Sequence, residues 1–453
     1  MNGNRGVLVT FFSRRRIQSM ICDLHSHLNQ EKRKDIVNRL NSKEAEQCLG
    51  AEVELAIAWS LRNLDLDVEP FWWKGSRSPD IYVDAIVKDR PVAIEVTAFA
   101  DAAISGEAQM DHCAQKLIAI ADAEQRRSGQ YLYFHFAETR NYQNGRNERG
   151  IAAPRDFYPS QETIQKVQSW IRSNPDPTVR LRIEDRNMIV ELEKRTYKQI
   201  RYHNYHVSRP PRTYSEKRNP LYKRLADKAK QVEDAPSGVS RIVLLVEAGS
   251  RFLADITARN WQHGIESYSS AQDIIQRFIT DKSDKIDAVI VFVPVVEYSS
   301  RLLGRHGPKN YWSTRVYCAE QSNTRWIEAA VESILRELPP PRFDGYNARS
   351  LIRQKAMQHD ARGWYRVTSM TKINKKITYK ISSRAFQDLL AKRITETQFR
   401  HFIGEREDGS TIGRLLNLGY TIQAVTFEAG GIDQDDDYIV LELNLDAAAA
   451  PFV

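Results

Sequence analysis

Hydrophobic positions between residues 50 and 97 change period twice. Glu54, Ile57, Ala58, Leu61 and Leu64 keep the i, i+3, i+4, i+7 spacing of one helical face. This predicts a helix over 44–63 with a carboxylate, Glu54, on its apolar side, where it needs a cation or a metal to offset its desolvation. Beyond it the period falls to two. A strand is expected over 67–73. Ser78-Pro79-Asp80 then leads into the alternating run Ile81, Val83, Ala85, Val87, and a third run covers 92–97 after the turn Lys88-Asp89-Arg90-Pro91. Pairing the last two runs antiparallel brings Asp80 beside Glu95.

The same reading predicts a helix over 107–127, a strand over 131–136, a loop over 138–159 and a helix over 161–172. Strands at 179–184 and 188–193 are joined by Asp185-Arg186-Asn187, a hairpin turn. Further on come a helix at 221–232, a fully apolar strand at 242–246, a helix at 271–279, a strand at 288–293, a loop at 302–313 and an amphipathic helix at 324–338. Alternation of strands and helices is the α/β signature. Pro339-Pro340-Pro341 reads as a linker. Past it, 345–453 reads as a separate α+β domain: strands at 365–370 and 376–380, a helix at 383–393 capped by Ser382 or Ser383, a helix near 396–402, and strands at 420–428 and 438–443. Between the last two strands, Asp433, Asp435, Asp436 and Asp437 lack the spacing of a calcium loop and are expected in a solvated hairpin loop. The division is thus a basic, helical N-terminal extension over 1–43, a main domain over 44–338 carrying an inserted basic segment at about 140–235, and the C-terminal domain.

Two carboxylates delivered by neighbouring strands make a hard-oxygen site suited to Mg²⁺ or Mn²⁺. A metal held by Asp80, Glu95 and the Val96 carbonyl would polarise a phosphodiester and acidify a bound water. The order of helix, three strands, helix and strand over 42–138, with Pro79-Asp80 and Glu95, resembles the PD-(D/E)xK nuclease superfamily, and the resemblance implies a restriction-endonuclease-like αβββαβ core with insertions. On that resemblance Glu54, Asp80 and Glu95 are metal ligands and catalytic acids, and Thr97 stands where the lysine of the motif belongs. Lys116, in the helix after the third strand, is favoured as the relocated cation over Lys74. Lys228 or Lys230 takes that role if the helix at 221–232 and the strand after it close the core instead.

Charge adds to this picture. The 453-residue chain carries a net charge of +8, which favours a polyanionic partner. Basic and aromatic residues interleave after residue 194: Arg195, Lys198, Arg201, Arg209, Arg212, Lys217 and Arg218 with Tyr202 and Tyr205 among them. Such a segment neutralises phosphates and stacks on unpaired bases, so it is the expected nucleic-acid contact. The four cysteines, Cys22, Cys48, Cys113 and Cys318, form no CxxC pair, which argues against a zinc ribbon and a disulfide framework. No apolar run reaches 18 residues and no secretory leader is legible, so a cytoplasmic protein without a membrane span is expected. No phosphate-binding GxxxxGK[ST] loop is present.

Asp23-Leu24-His25-Ser26-His27 is a competing motif. It is similar to the first metal motif of the polymerase and histidinol phosphatase family of phosphoesterases, but the later motifs of that family are missing. The sequence therefore leads to a Mg²⁺-dependent endonuclease acting on DNA, of the kind used in restriction or phage defence, with a nuclease-fold DNA-binding protein that has lost hydrolysis as the alternative. The C-terminal domain reads equally as a DNA reader, a partner-binding unit or a homodimer contact.

Overall fold

The computed structural model describes residues 10–42, 45–64, 66, 68–69, 79–84, 86, 90–100, 106–126, 128–143, 146–176, 178–194, 202–203, 216–254, 256, 270–297, 309–320, 324–342, 368–374, 376–396, 399–400, 403, 411–446 and 448. They divide into two compact units. The larger is Thr10–Phe12 with Ser19–Gln354, and the smaller includes Ser13–Gln18 with Lys355–Val453. Mixed helices and sheets make the chain α/β.

The larger unit is built on a sheet whose described strands are β1 (Val68–Glu69), β2 (Ile81–Val83), β3 (Val92–Phe99), β10 (Ser240–Glu247), β11 (Ala288–Glu297) and β12 (Lys309–Cys318), in that spatial order. Along β3 every residue is buried, so the strand is covered on both faces. It pairs antiparallel with β2, Ile81 against Ile94 and Val83 against Val92, and parallel with β10, Glu95 against Val243 and Thr97 against Leu245. Before β3 come α1 (Arg14–Asp23), α2 (Gln30–Leu40) and α3 (Ala45–Asn63). Helix α3 buries more than the single face expected: Leu49, Ala51, Val53, Leu55, Ala56, Ile57 and Leu61 are all fully buried.

The long interval between β3 and β10 corrects the expected core. Helix α4 (Glu107–Glu124) and strand β4 (Leu132–Phe136) exist where the periodicity predicted them, but β4 joins another sheet. Its other strands are β7 (Leu181–Asp185), β8 (Met188–Lys194) and β9 (Tyr202–His203), in the spatial order β7-β8-β4-β9. Met110, Cys113, Leu117, Phe134 and Phe136 pack with Val167 and Trp170 of α5 (Gln161–Arg172) into a core of their own. The β7–β8 turn has Arg186 and Asn187 at φ 47° and 66°, the left-handed pair that a two-residue hairpin needs. The expected loop over 138–159 instead contains a hairpin, β5 (Glu138–Gln143) against β6 (Arg146–Ile151). Its connection, Asn144-Gly145, is a strong hairpin signal in the sequence that loop-like composition concealed.

From β3 the main sheet is resumed through α6 (Pro220–Val232), which leads into β10. Asn219 caps the helix by accepting the Leu221 amide at 2.8 Å, and Pro220 takes the first position, where its missing N–H is no loss. Leu221, Tyr222, Leu225, Ala229 and Val232 form the buried stripe that packs against Ala93, Phe99 and Val243. Helix α7 (Ala271–Asp281) adds Ile274, Ile275 and Phe278 to the same core.

Strand β12 begins just after the Gly- and Pro-bearing stretch, so the loop predicted to run to residue 313 stops earlier. After α8 (Thr324–Glu337), Pro339 is buried and accepts the Trp312 indole N–H at 2.9 Å, so the proline run opens as a packed part of the larger unit and not as a linker.

In the smaller unit β13 (Ser369–Ile373), β14 (Lys376–Ser382), β16 (Tyr438–Leu445) and β15 (Tyr420–Glu428) form an antiparallel sheet in that order. Ser382 caps α9 (Ser383–Leu390) by accepting the Ala385 amide at 2.9 Å. The four acids before β16 are not a solvated loop. Asp435 and Asp436 are buried, Asp436 accepts the Arg384 amide, and Asp437 and Asp433 pair at 2.9 Å with Arg15 and Arg16. Those arginines, read as part of a basic extension, are where the chain's start joins this unit.

Candidate active site

One step beyond the Ile81–Ile94 pair, the antiparallel register sets Asp80 opposite Glu95. Asp80 Oδ2 accepts the Val96 amide at 2.9 Å, which fixes the aspartate against β3. Glu95 is 1 % exposed, in the middle of a strand buried on both faces, so its charge requires a partner.

That partner is Lys228. Its Nζ lies 2.7 Å from Glu95 Oε2 and 3.7 Å from Asp80 Oδ2. Because Lys228 precedes Ala229 at the border of the α6 stripe, burying the stripe carries its stem over the β3 face that bears Glu95 and Thr97. Arg224, one turn earlier, pairs with Glu46 of α3, and Gln231, nearly one turn later, buries an Oε1 that has no hydrogen-bond partner among the described residues. Thr97 is buried on the strand, two positions after Glu95.

Lys116, favoured from the sequence, does not supply the cation. It belongs to α4 over the second sheet, and its ammonium stands 4.4 Å from the centre of the exposed Tyr158 ring. Lys230 turns to Asp227 at 3.2 Å, and Lys74 lies outside the described residues.

Glu54 occupies the apolar side of α3 as predicted and is 2 % exposed. Its oxygens are held by two cations from α2: Lys32 at 2.6 Å and Arg39 at 2.5 Å, the latter also bound on its outer side by Asp35 at 2.9 Å. Neither cation was singled out by the sequence reading. A signal was there, since Lys32, Ile36 and Arg39 fall at i, i+4 and i+7 on one face of α2, so that a lysine shares the buried side with Ile36. Leu28, Lys32, Glu54, Ala58 and Asp80 line a narrow cleft where these elements meet.

The acids respond differently to this setting. Burial works to raise the Asp80 pKa, but the charges of Lys228 and Lys32, the Val96 amide and Arg39 prevail and hold it below the usual range. Burial and the facing Asp80 charge push Glu95 up to about 8, against the pull of Lys228. Glu54 is raised by its burial and by Asp80, opposed by Lys32 and Arg39. For Lys228 burial acts downward, and Asp80 and Glu95 outweigh it, so the ammonium is held charged.

Two carboxylates on neighbouring strands, with Glu95 Oε1 buried and without a hydrogen-bond partner, fit a divalent cation of the Mg²⁺ kind, which takes one or two carboxylates and leaves its other positions to water and phosphate. They do not make a three-acid cage, because Glu54 is already taken up by Lys32 and Arg39. Among the described residues no group of three His, Cys, Asp or Glu is arranged to hold a metal. His25 and His27 lie exposed between α1 and α2, and His25 contacts Arg33.

Of the expected nucleic-acid segment, Arg195, Lys198, Arg201, Tyr205, Arg209 and Arg212 lie outside the described residues. Tyr202 begins β9, Arg218 ends a short turn, and Lys217 is paired with Asp281 at 3.0 Å. Among the described residues no helix is long and apolar enough to cross a membrane. No protein-family model matches the chain, and no curated protein or solved structure matches it either.

Proposed function

We propose that this chain is a metal-dependent nuclease that hydrolyses phosphodiester bonds in DNA. The observation that carries the reading is the Lys228 ammonium, 2.7 Å from Glu95 and 3.7 Å from Asp80, supplied by a different element at a site whose strand position bears Thr97. The order α3, β1, β2, β3, α6, β10 supports a restriction-endonuclease-like αβββαβ core interrupted by an insertion between β3 and α6. Asp80 and Glu95 would hold Mg²⁺ or Mn²⁺, which when bound would polarise the scissile phosphate and acidify a water. Lys228 would orient that water or steady charge on the phosphate, and its positive charge would act strongly because the site is largely closed to solvent. Lys32 and Arg39, which hold Glu54, also help to keep Asp80 charged. Restriction or phage defence is the setting this activity suggests.

One observation favours a second reading, a DNA-binding protein of the same fold without hydrolysis: each acid is already matched by a protein cation. Incubating purified full-length protein with supercoiled plasmid and Mg²⁺ or Mn²⁺ separates the two. The nuclease reading expects nicked or linear product from wild type and none from Asp80→Asn. Retention of plasmid without cleavage under either metal would assign the second reading.

A further inference from the structure

Protein cations already face the acids of the cluster before any metal arrives. Glu54, Asp80 and Glu95 face Lys32, Arg39 and Lys228. The three cations are not equivalent. Lys32 is 4 % exposed and, like Arg39, contacts a Glu54 oxygen. Lys228 is 20 % exposed and reaches one oxygen of each of the two strand carboxylates from a separate helix. It is thus near both of the carboxyls that would hold a hard cation.

We propose that Lys228 is the counter-ion a divalent metal has to displace, so that the protein alone holds the metal weakly and takes it up together with a polyanionic substrate. This rests on the reading of Asp80 and Glu95 as the metal site. A divalent ion bound to those carboxylates and an ammonium about 4 Å away repel each other by several kcal/mol at the effective dielectric of such a site. The lysine carries a point charge on a flexible four-carbon stem and can turn away. Without substrate it leaves its two acid partners for water. With a phosphodiester in the cleft it exchanges one anion for another, and its departure costs far less. Because binding free energies are reciprocal, the substrate tightens the metal by the same factor as the metal tightens the substrate. A lysine on the strand itself could not withdraw so far, whereas one carried by α6 serves both carboxylates and then the phosphate.

The test is calorimetric titration of Mn²⁺ into full-length protein without nucleic acid, for wild type, Lys228→Met, Lys228→Arg and Lys230→Met. Lys228→Met is expected to bind Mn²⁺ at least about tenfold more tightly than wild type, since one repelling charge is removed. Lys228→Arg, which keeps the charge and guards against a general loss of fold, binds no more tightly than wild type, and Lys230→Met on the same helix stays within about twofold of it. Equal or weaker binding by Lys228→Met, or no binding by any of the four, overturns the proposal. Tighter binding by Lys228→Met in a protein that cuts no DNA would leave this inference standing and remove the nuclease reading. Cleavage by wild type with unchanged metal affinity in Lys228→Met would do the reverse.

Discussion

Glu54 shows how a single residue can be legible in type and not in role. Its place on the apolar side of α3 comes from spacing alone, and so does its need for a partner. The identity of that partner depends on α2 folding back over α3: the spacing of Lys32, Ile36 and Arg39 marks a buried face on α2 but not what covers it. With Glu54 2 % and Lys32 4 % exposed, removing one side of the pair strands a buried charge. Glu54→Gln is expected to cost roughly 3–5 kcal/mol in urea unfolding, and adding Lys32→Met should recover part of that loss. Strictly additive losses in the double variant would show that the two side chains are not coupled. Glu95 makes a pH prediction. In the folded chain it keeps its proton to about 8, whereas an unfolded glutamate releases it near 4.3. The folded state therefore binds more protons between those values, and stability falls as pH rises through that window and levels off above it. Asp80, held low, contributes in the opposite sense: its stabilisation is present above the usual aspartate range and is lost as pH falls. Calorimetry of wild type and Glu95→Gln from pH 5 to 9 should show the variant gaining relative stability up to about pH 8. Parallel profiles would contradict the placement of Glu95.

At the scale of elements, α3, β2, β3, α6 and β10 were readable from periodicity and caps, and Asp80 facing Glu95 comes from a two-strand pairing. Which helix closes the sheet was not readable. Both α4 and α6 are helices with a buried stripe followed by an apolar strand, and element order alone does not choose between them. The choice is made by packing: Met110, Cys113 and Leu117 of α4 fill the core shared with α5, while Leu221, Leu225 and Ala229 of α6 fill the one against β3. Nearness in sequence pointed to Lys116, and nearness in space gives Lys228. If α6 aims the lysine, loosening the helix should impair the site without touching it. Leu225→Ala, at a fully buried position, is expected to cost about 2–5 kcal/mol and to lower cleavage more than DNA retention at a temperature where the variant remains folded. Unchanged cleavage in a measurably destabilised variant would separate α6 from the chemistry.

Across the whole molecule, the net charge of +8 suggested a polyanion partner before any residue was placed. Several described cations of the basic stretch have internal duties instead: Lys217 on Asp281, Arg224 on Glu46, and Lys228 on the strand acids. The N-terminal arginines are likewise structural, as Arg15 and Arg16 hold the acid-rich turn of the smaller unit. Charge totals could not distinguish these roles, because they depend on which acids the fold brings opposite. The account rests on Lys228 standing in for a lysine at position 97. It is tested most directly by timing Mg²⁺-dependent plasmid cleavage for wild type, Lys116→Ala, Lys228→Ala and the double variant Lys228→Ala with Thr97→Lys. Wild-type rates are expected for Lys116→Ala, a loss of at least about a hundredfold for Lys228→Ala, as for removal of a charged donor at a reacting phosphate, and partial recovery in the double variant. Cleavage by Lys228→Ala at the wild-type rate, or loss on Lys116→Ala instead, would contradict it.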